Sequence, residues 1–132
     1  MSIEFTVVSI GTLSSNPLWG ESPGLRTPHA TTTLVRHGER VVLVDPSLPG
    51  QVLASRLFER TGLRPEAVTD VFCTTLRPTH RRGLEAFGRS RWLCSETELS
   101  SYASWLEALD ESAERLTGEV AEAAAADREL LR

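Results

Sequence analysis

The sequence predicts a single α/β domain, and three observations support this. Strand-like runs rich in valine alternate with helical patterns, an order typical of layered α/β domains. The chain has 132 residues, of which 40% are hydrophobic and 24% charged, ordinary values for one globular domain. No run is long and apolar enough to cross a membrane, and the net charge of −4 gives no reason to expect nucleic acid as a partner.

Three strands and a helix are predicted in the first half of the chain. Residues 3–13 alternate between apolar and polar side chains, which predicts a strand. The runs 31–36 and 40–45 predict a hairpin, because Gly38 supplies the backbone freedom of a tight turn. Apolar residues at helical spacing in 50–61 predict a helix that ends before a glycine.

Two short strands follow that helix. Residues 71–74 are an apolar run that we predict to be a central, parallel strand, because helical patterns flank it. Residues 91–94 predict another strand. A helical turn over 64–68 precedes the first of these strands. A polar loop is predicted over 76–83, directly after it.

The C-terminal region is predicted to be helical. Ser95 is followed three residues later by Glu98, a capping box that begins a helix running to about residue 109. We therefore predict an α/β domain over residues 1–109. An acidic helix over 110–132 is expected to pack on that domain or to lie at an interface.

The cysteines and the N-terminus predict a cytoplasmic protein. Cys73 and Cys94 lie far apart in apolar surroundings, as expected for reduced thiols rather than a disulfide or a metal-binding pair. The first residues carry no basic segment before their apolar run, so we expect no signal peptide. All 14 basic residues are arginine, a bias of GC-rich coding DNA from which we expect a bacterial gene.

One stretch of the chain resembles a known family. The run Val-Val-Leu-Val-Asp-Pro at 41–46 follows the hairpin, and residues 69–84 contain Thr74, His80 and Gly83 after the next strand. This order resembles the N-terminal half of the metallo-β-lactamase-fold hydrolases, over most of residues 1–105. The resemblance implies half of an αββα sandwich, a mixed sheet with flanking helices.

The resemblance also implies a metal-binding loop of the form His-x-His-x-Asp-His, whose metal would activate a bound water. Here the corresponding positions hold Thr75, Arg77, Thr79 and His80, so one histidine of the motif remains. An arginine has no lone pair to give and keeps its positive charge, and structural and catalytic zinc sites take three or four protein ligands. We therefore expect no metal and no cofactor.

Asp45 and His80 each have two interpretations. The resemblance implies that Asp45 is a carboxylate near the metal site, and the alternative is that it caps the turn before Pro46. His80 is a retained ligand or a general base, and the alternative is a loop histidine bonded to the backbone.

An arginine cluster surrounds His80. Residues 77–91 contain five arginines, among them Arg77, Arg81 and Arg82, against one acidic residue. Loops at the carboxyl ends of parallel strands bind ligands in α/β folds, so this cluster predicts a site for a small anion. The alternatives are a solvated basic face, or pairing with the acidic C-terminal helix.

The favoured function is a non-catalytic binding or assembly module that binds a small anion at this Arg-rich loop. The alternative is a metal-dependent hydrolase, with zinc or another divalent ion, whose site a missing C-terminal half or a partner chain completes. A third function is purely structural, with the acidic helix as a dimerisation element. We expect a second copy or a second chain to complete the sandwich, and neither nucleic acid nor a membrane as a partner.

Overall fold

A computed structural model describes residues 2–111 and residue 129. The described part contains five strands and three α-helices: β1 (Glu4–Ser9), β2 (Thr32–His37), β3 (Arg40–Val44), α1 (Gly50–Thr61), β4 (Asp70–Cys73), α2 (Pro78–Arg81), β5 (Arg91–Cys94) and α3 (Glu96–Glu111). Short 3-10 turns lie at Pro17–Trp19, Pro65–Ala67 and Leu84–Phe87. Within this part, no helix is both long and apolar enough to span a bilayer. The element order confirms the predicted α/β fold class.

The strands form one mixed sheet in the order β1-β2-β3-β4-β5. The neighbours β1 and β2, and β2 and β3, are antiparallel. The neighbours β3 and β4, and β4 and β5, are parallel. The carboxyl ends of β3, β4 and β5 therefore meet at one edge of the sheet, where α/β folds place their sites.

The predicted hairpin is confirmed. His37 pairs with Arg40 as the last register pair of β2 and β3, which leaves a two-residue turn. Gly38 adopts a φ of 59° in that turn, a conformation that glycine reaches without a side-chain clash.

One face of the sheet forms the core with helix α1. The helix buries Leu53 and Leu57 completely, and the strands bury Leu34, Leu43 and Val71 to 1% exposure or less. A leucine buried in this way stabilises the fold by about 1.5–3 kcal/mol relative to an exposed one. The helix ends at Thr61, directly before Gly62, as the glycine predicted.

The opposite face of the sheet is mostly apolar and more exposed, although the register also places Thr33, Arg40, Asp70 and Arg91 on it. The strand register places on this face the side chains of Phe5, Val7, Val35, Val42, Val44, Phe72 and Leu93. Phe5 is 73% exposed, Val7 41% and Leu93 38%, while the other members are half-buried. We call these seven residues the open sheet face.

Two predicted elements differ from the structure. Strand β1 ends at Ser9 rather than at residue 13, because its pairing with β2 is irregular after Val7 and only an isolated bridge joins Thr12 to His29. The predicted polar loop over 76–83 contains the short helix α2. Pro78 at its start has the fixed φ that suits a first helical position, a signal that the sequence prediction missed.

Helix α3 belongs to a second compact unit, which begins at Ser95. The hydroxyl of Ser95 accepts a hydrogen bond of 3.1 Å from the backbone N–H of Glu98, which confirms the predicted cap. The rings of Tyr102 and Trp105 lie 5.3 Å apart on this helix. The acidic helix predicted over 110–132 lies almost entirely outside the described residues, so it and its boundary stay predictions.

Candidate functional site

Asp45 joins the ends of β3 and β4 at the candidate edge. Its Oδ1 accepts a hydrogen bond of 2.7 Å from the backbone N–H of Thr74, and its Oδ2 accepts one of 2.7 Å from the Thr74 hydroxyl. The residue has a φ of 57°, which aspartate tolerates better than most side chains, and it is 7% exposed. Helix α1 instead begins at Gly50, and its N-cap residue Pro49 supplies no side-chain hydrogen bond. Asp45 thus fixes the loop after β4 rather than capping α1.

The buried hydroxyl groups of Thr32 and Ser47 form hydrogen bonds close to the backbone of Asp45. The Thr32 hydroxyl donates a hydrogen bond of 2.6 Å to the carbonyl oxygen of Asp45 and lies 2.9 Å from Ser47 Oγ. The Ser47 hydroxyl donates a hydrogen bond to the carbonyl oxygen of Ala30. Both residues are fully buried. The sequence prediction missed them, although a serine directly after Asp-Pro at a strand end is a usable signal.

The loop after β4 is closely packed against the chain that follows β3. The backbone N–H of Gly83 donates a hydrogen bond of 2.8 Å to the carbonyl oxygen of Pro46. A Cβ atom at Gly83 would lie 2.4 Å from the carbonyl oxygen of Leu48. The carbonyl oxygen of Thr79 accepts a hydrogen bond of 3.0 Å from the N–H of Ala30. These contacts hold the loop in place through the backbone.

The positions that correspond to the metal motif do not form a donor set for zinc. Thr75 and Thr79 are half-buried and Arg77 is exposed. His80 Nδ1 lies 2.8 Å from the hydroxyl of Thr79, its neighbour in the chain. Across the described residues, no group of three or more His, Cys, Asp or Glu side chains is placed to hold a metal ion. Zinc needs about three or four such ligands, so the side chains present do not fit it.

The arginines of the predicted anion cluster lie on one short stretch but differ in their contacts. Arg81 Nε donates a hydrogen bond to the carbonyl oxygen of Leu76, and Arg82 Nη1 donates one of 2.6 Å to that of Pro28. Arg77 is exposed, and its guanidinium has no hydrogen bond or ion pair within the described ranges. Arg81 and Arg82 therefore partly serve to brace the loop, and Arg77 is the cluster member best placed to meet a ligand.

The two cysteines face each other across the same edge. Cys73 of β4 pairs in register with Cys94 of β5, and no disulfide joins them. Burial, with smaller contributions from the Asp45 carboxylate and Cys94, raises the pKa of the Cys73 thiol to about 12. Cys73 is therefore a protonated, unreactive thiol at neutral pH, as the sequence predicted for a core position.

Comparison with solved structures shows which fold contains this edge of the sheet. A protein of Thermotoga maritima assigned to the metallo-β-lactamases superposes with a TM-score of 0.53 at 20% identity, over 68% of this chain and 42% of its own. The hydrolase AbOPH of the β-lactamase superfamily gives 0.49 at 19% identity, over 74% and 40%. The dizinc quorum-quenching lactonase AidC gives 0.48 at 21% identity, over 53% and 28%.

The similarity to the Thermotoga protein confirms the resemblance at the level of the fold. The mixed sheet and the helix α1 that packs on one of its faces define an α/β protein. The chain has part of the metallo-β-lactamase fold, and it spans 42% of the length of the Thermotoga protein. No protein-family model matches the sequence, and no curated protein is significantly similar to it.

Proposed function

We propose that this chain is a metallo-β-lactamase-fold protein without the metal centre, and that it serves as a non-catalytic binding or assembly module. The side chains at the metal-loop positions carry this proposal: Thr75, Arg77 and Thr79 stand where the motif has ligands. A guanidinium about 4 Å from a metal ion costs about 4 kcal/mol for each unit of metal charge, even at an effective dielectric of 20. Neutral hydroxyls do not offset that repulsion.

Metal content of the purified protein tests this proposal. Mass spectrometry of the protein incubated with Zn²⁺, Mn²⁺ or Fe²⁺ is expected to find less than about a tenth of an equivalent of metal. Zinc sites take three or four protein ligands, and His80 is the one histidine that remains at the motif positions. The matched variants are His80→Ala and His37→Ala, since His37 lies in the exposed hairpin. About one equivalent of metal, lost in His80→Ala and kept in His37→Ala, would contradict the proposal.

A small anion is the proposed ligand of the Arg-rich loop. The free guanidinium of Arg77 and the position of the loop at the carboxyl ends of parallel strands support it. Phosphate, nucleotides and carboxylates are expected to raise the Tm of the protein, because an anion that binds only the folded state stabilises it.

The control for anion binding is a second exposed arginine. The Arg77→Gln variant is expected to lose the rise in Tm, whereas Arg36→Gln, which removes the same charge from an exposed position of β2 outside the cluster, keeps it. No rise in Tm with any of these anions, or an equal loss in both variants, would show that the loop is a solvated basic face.

Assembly is the second part of the proposed role. The open sheet face offers several apolar side chains to a partner, with Phe5 the most exposed of them. Contiguous apolar surface of this kind marks interaction sites in soluble proteins. We propose that a second copy or a second chain covers it and completes the sandwich.

A metal-dependent hydrolase is the second candidate function. It is favoured by the length comparison, because the Thermotoga protein has more than half of its chain outside the superposed part. A longer natural chain or a partner chain would then supply ligands beside His80 and Asp45. The metal measurement separates the two candidates when it is repeated on protein purified from its natural source, with any longer chain or partner retained.

We also infer a cytoplasmic location and a bacterial gene. The cysteine content supports the location, since two cysteines in 132 residues, one of them the buried Cys73, are typical of proteins from reducing compartments. The all-arginine basic composition supports the bacterial origin.

A further inference from the structure

A basic cleft lies between helix α1 and the end of strand β1, apart from the Arg-rich loop. Its volume is about 320 Å³, near the lower limit of the roughly 300–1,000 Å³ of small-molecule sites. Arg56 and Arg60 line it from the helix, and His29 lines it from the segment before β2. No acidic side chain is among the lining residues.

The two helix arginines form one positively charged wall. Arg56 and Arg60 are four residues apart, so they lie on the same side of α1, and like charges at this spacing weaken a helix slightly. Both are exposed, and neither guanidinium has an ion pair or hydrogen bond within the described part of the chain. The position of Arg60 in the last helical turn is favoured by the helix dipole, but Arg56 lies one turn earlier and gains less. An anion between the two would offset their repulsion.

The rest of the cleft is mostly apolar, with Ser9 as a polar member. Ile10, Leu48 and Val52 line it together with the arginines. Ile10 is 78% exposed and Val52 48%, so apolar surface next to the charged wall is open to water. A ligand that carries a charge at one end and hydrocarbon at the other would satisfy both parts of this lining.

We propose that this cleft binds an amphiphilic oxyanion, a carboxylate or phosphate on a short aliphatic chain. Arg56 and Arg60 hold the headgroup through charge-assisted hydrogen bonds, for which a guanidinium is well suited. The aliphatic chain lies along Ile10, Leu48 and Val52. The proposal is independent of anion binding at Arg77, because none of the cleft residues belongs to the Arg-rich loop.

Binding of simple probes to the purified full chain tests the proposal. The probes are pentanoate and pentyl phosphate, with acetate, inorganic phosphate and 1-pentanol as partial mimics that lack either the tail or the charge. We expect saturable NMR shifts of the Ile10 and His29 amides with the two complete probes and much weaker binding of the mimics. The stronger of the two complete probes identifies the headgroup.

Charge-matched variants locate the site. Arg56→Gln and Arg60→Gln are each expected to weaken probe binding about tenfold, the effect of losing one strong charge-assisted contact. Arg89→Gln removes the same charge elsewhere and is expected to leave the affinity unchanged. Val52→Ser is expected to weaken the complete probes but not the tail-free mimics. All four side chains are exposed, so the variants are expected to fold.

Several results would overturn the proposal. Absence of saturable shifts with either complete probe would exclude the site. Equal affinity for acetate and pentanoate would exclude a role for the apolar lining. If Arg89→Gln weakened probe binding as much as Arg56→Gln and Arg60→Gln do, the loss of affinity would reflect the net charge of the protein rather than a specific site. Loss of binding in Arg77→Gln, with Arg56→Gln unaffected, would place the anion on the Arg-rich loop instead and would support that part of the proposed function.

Discussion

Asp45 shows how a single residue holds together two strand ends at the candidate site. A carboxylate that is 7% exposed must find hydrogen-bond donors, and Thr74 supplies two, from its backbone N–H and its hydroxyl. These bonds connect residues 29 positions apart in the chain. Asp45 therefore has a structural reason to be present, and its position near a strand end does not by itself indicate a catalytic role.

Gly83 lies where the loop after β4 has no space for a side chain. We therefore predict that Gly83→Ala destabilises the protein. The new Cβ would lie 2.4 Å from the carbonyl oxygen of Leu48 and 3.0 Å from Leu53 Cδ2, so backbone must move. A loss of about 1–3 kcal/mol is expected, as for other overpacked positions. Urea unfolding measures it.

The matched control is Gly88→Ala, in the turn before β5. A Cβ atom there has no neighbour within 4 Å, and the φ of −63° suits alanine. This variant is expected to be neutral or to gain up to about 1 kcal/mol, because alanine restricts the unfolded chain. Equal effects of the two substitutions would show that close packing at Gly83 is unimportant.

At the scale of elements, one buried carboxylate connects three strands at the opposite edge of the sheet. Asp70 begins β4, and its side chain accepts hydrogen bonds of 2.9 Å from Arg40 of β3 and 2.7 Å from Arg91 of β5. The Thr69 hydroxyl donates a further bond of 2.8 Å. This hydroxyl, with help from the two arginines, lowers the pKa of Asp70 from 3.8 to about 2.

The lowered pKa predicts a specific acid sensitivity. Because Asp70 is the stronger acid in the folded state, its stabilising effect is complete above about pH 3.8 and is lost as the pH falls toward 2. Both arginines are more than half exposed, so salt is expected to weaken this effect. Urea unfolding between pH 2 and 5 is expected to show a smaller pH dependence in Asp70→Asn than in the natural protein. Parallel curves for the two proteins would contradict this account of Asp70.

Local sequence patterns predicted most of the helices and strands. They could not predict the contacts between residues that lie far apart in the chain. Gly38 marked the hairpin and Ser95 marked the start of α3, because each signal lies within a few residues of its effect. The bonds of Asp45 to Thr74 and the convergence of His29 with Arg56 involve residues far apart in the chain. Their contacts depend on the sheet order, which spacing along the sequence does not contain.

At the scale of the whole molecule, the open sheet face is the feature with the clearest consequence. An interface of standard size buries about 800 Å² on each partner, and a contiguous apolar sheet face is a suitable centre for one. Phe5, at 73% exposure, adds little to the stability of one chain but much to a contact between chains.

We predict that Phe5→Ser reduces self-association. Light scattering of the natural protein is expected to give a mass above the 14.5 kDa of one chain, and that of the variant a mass closer to it. Leu18→Ser is the control, since Leu18 is 93% exposed but lies in a loop turn outside the sheet. A mass of one chain for the natural protein at all concentrations, with no partner protein added, would rule out a homodimer through this face.

The order of the strands has a consequence for how the protein is made. In this sheet, position and chain order coincide, so each strand from β1 to β5 adds beside the one synthesised just before it. Among the described residues, none of the five strands has to be inserted between two strands that have already paired. Pairing between neighbours in sequence favours fast folding, and the growing chain can pair these five strands one after another during synthesis.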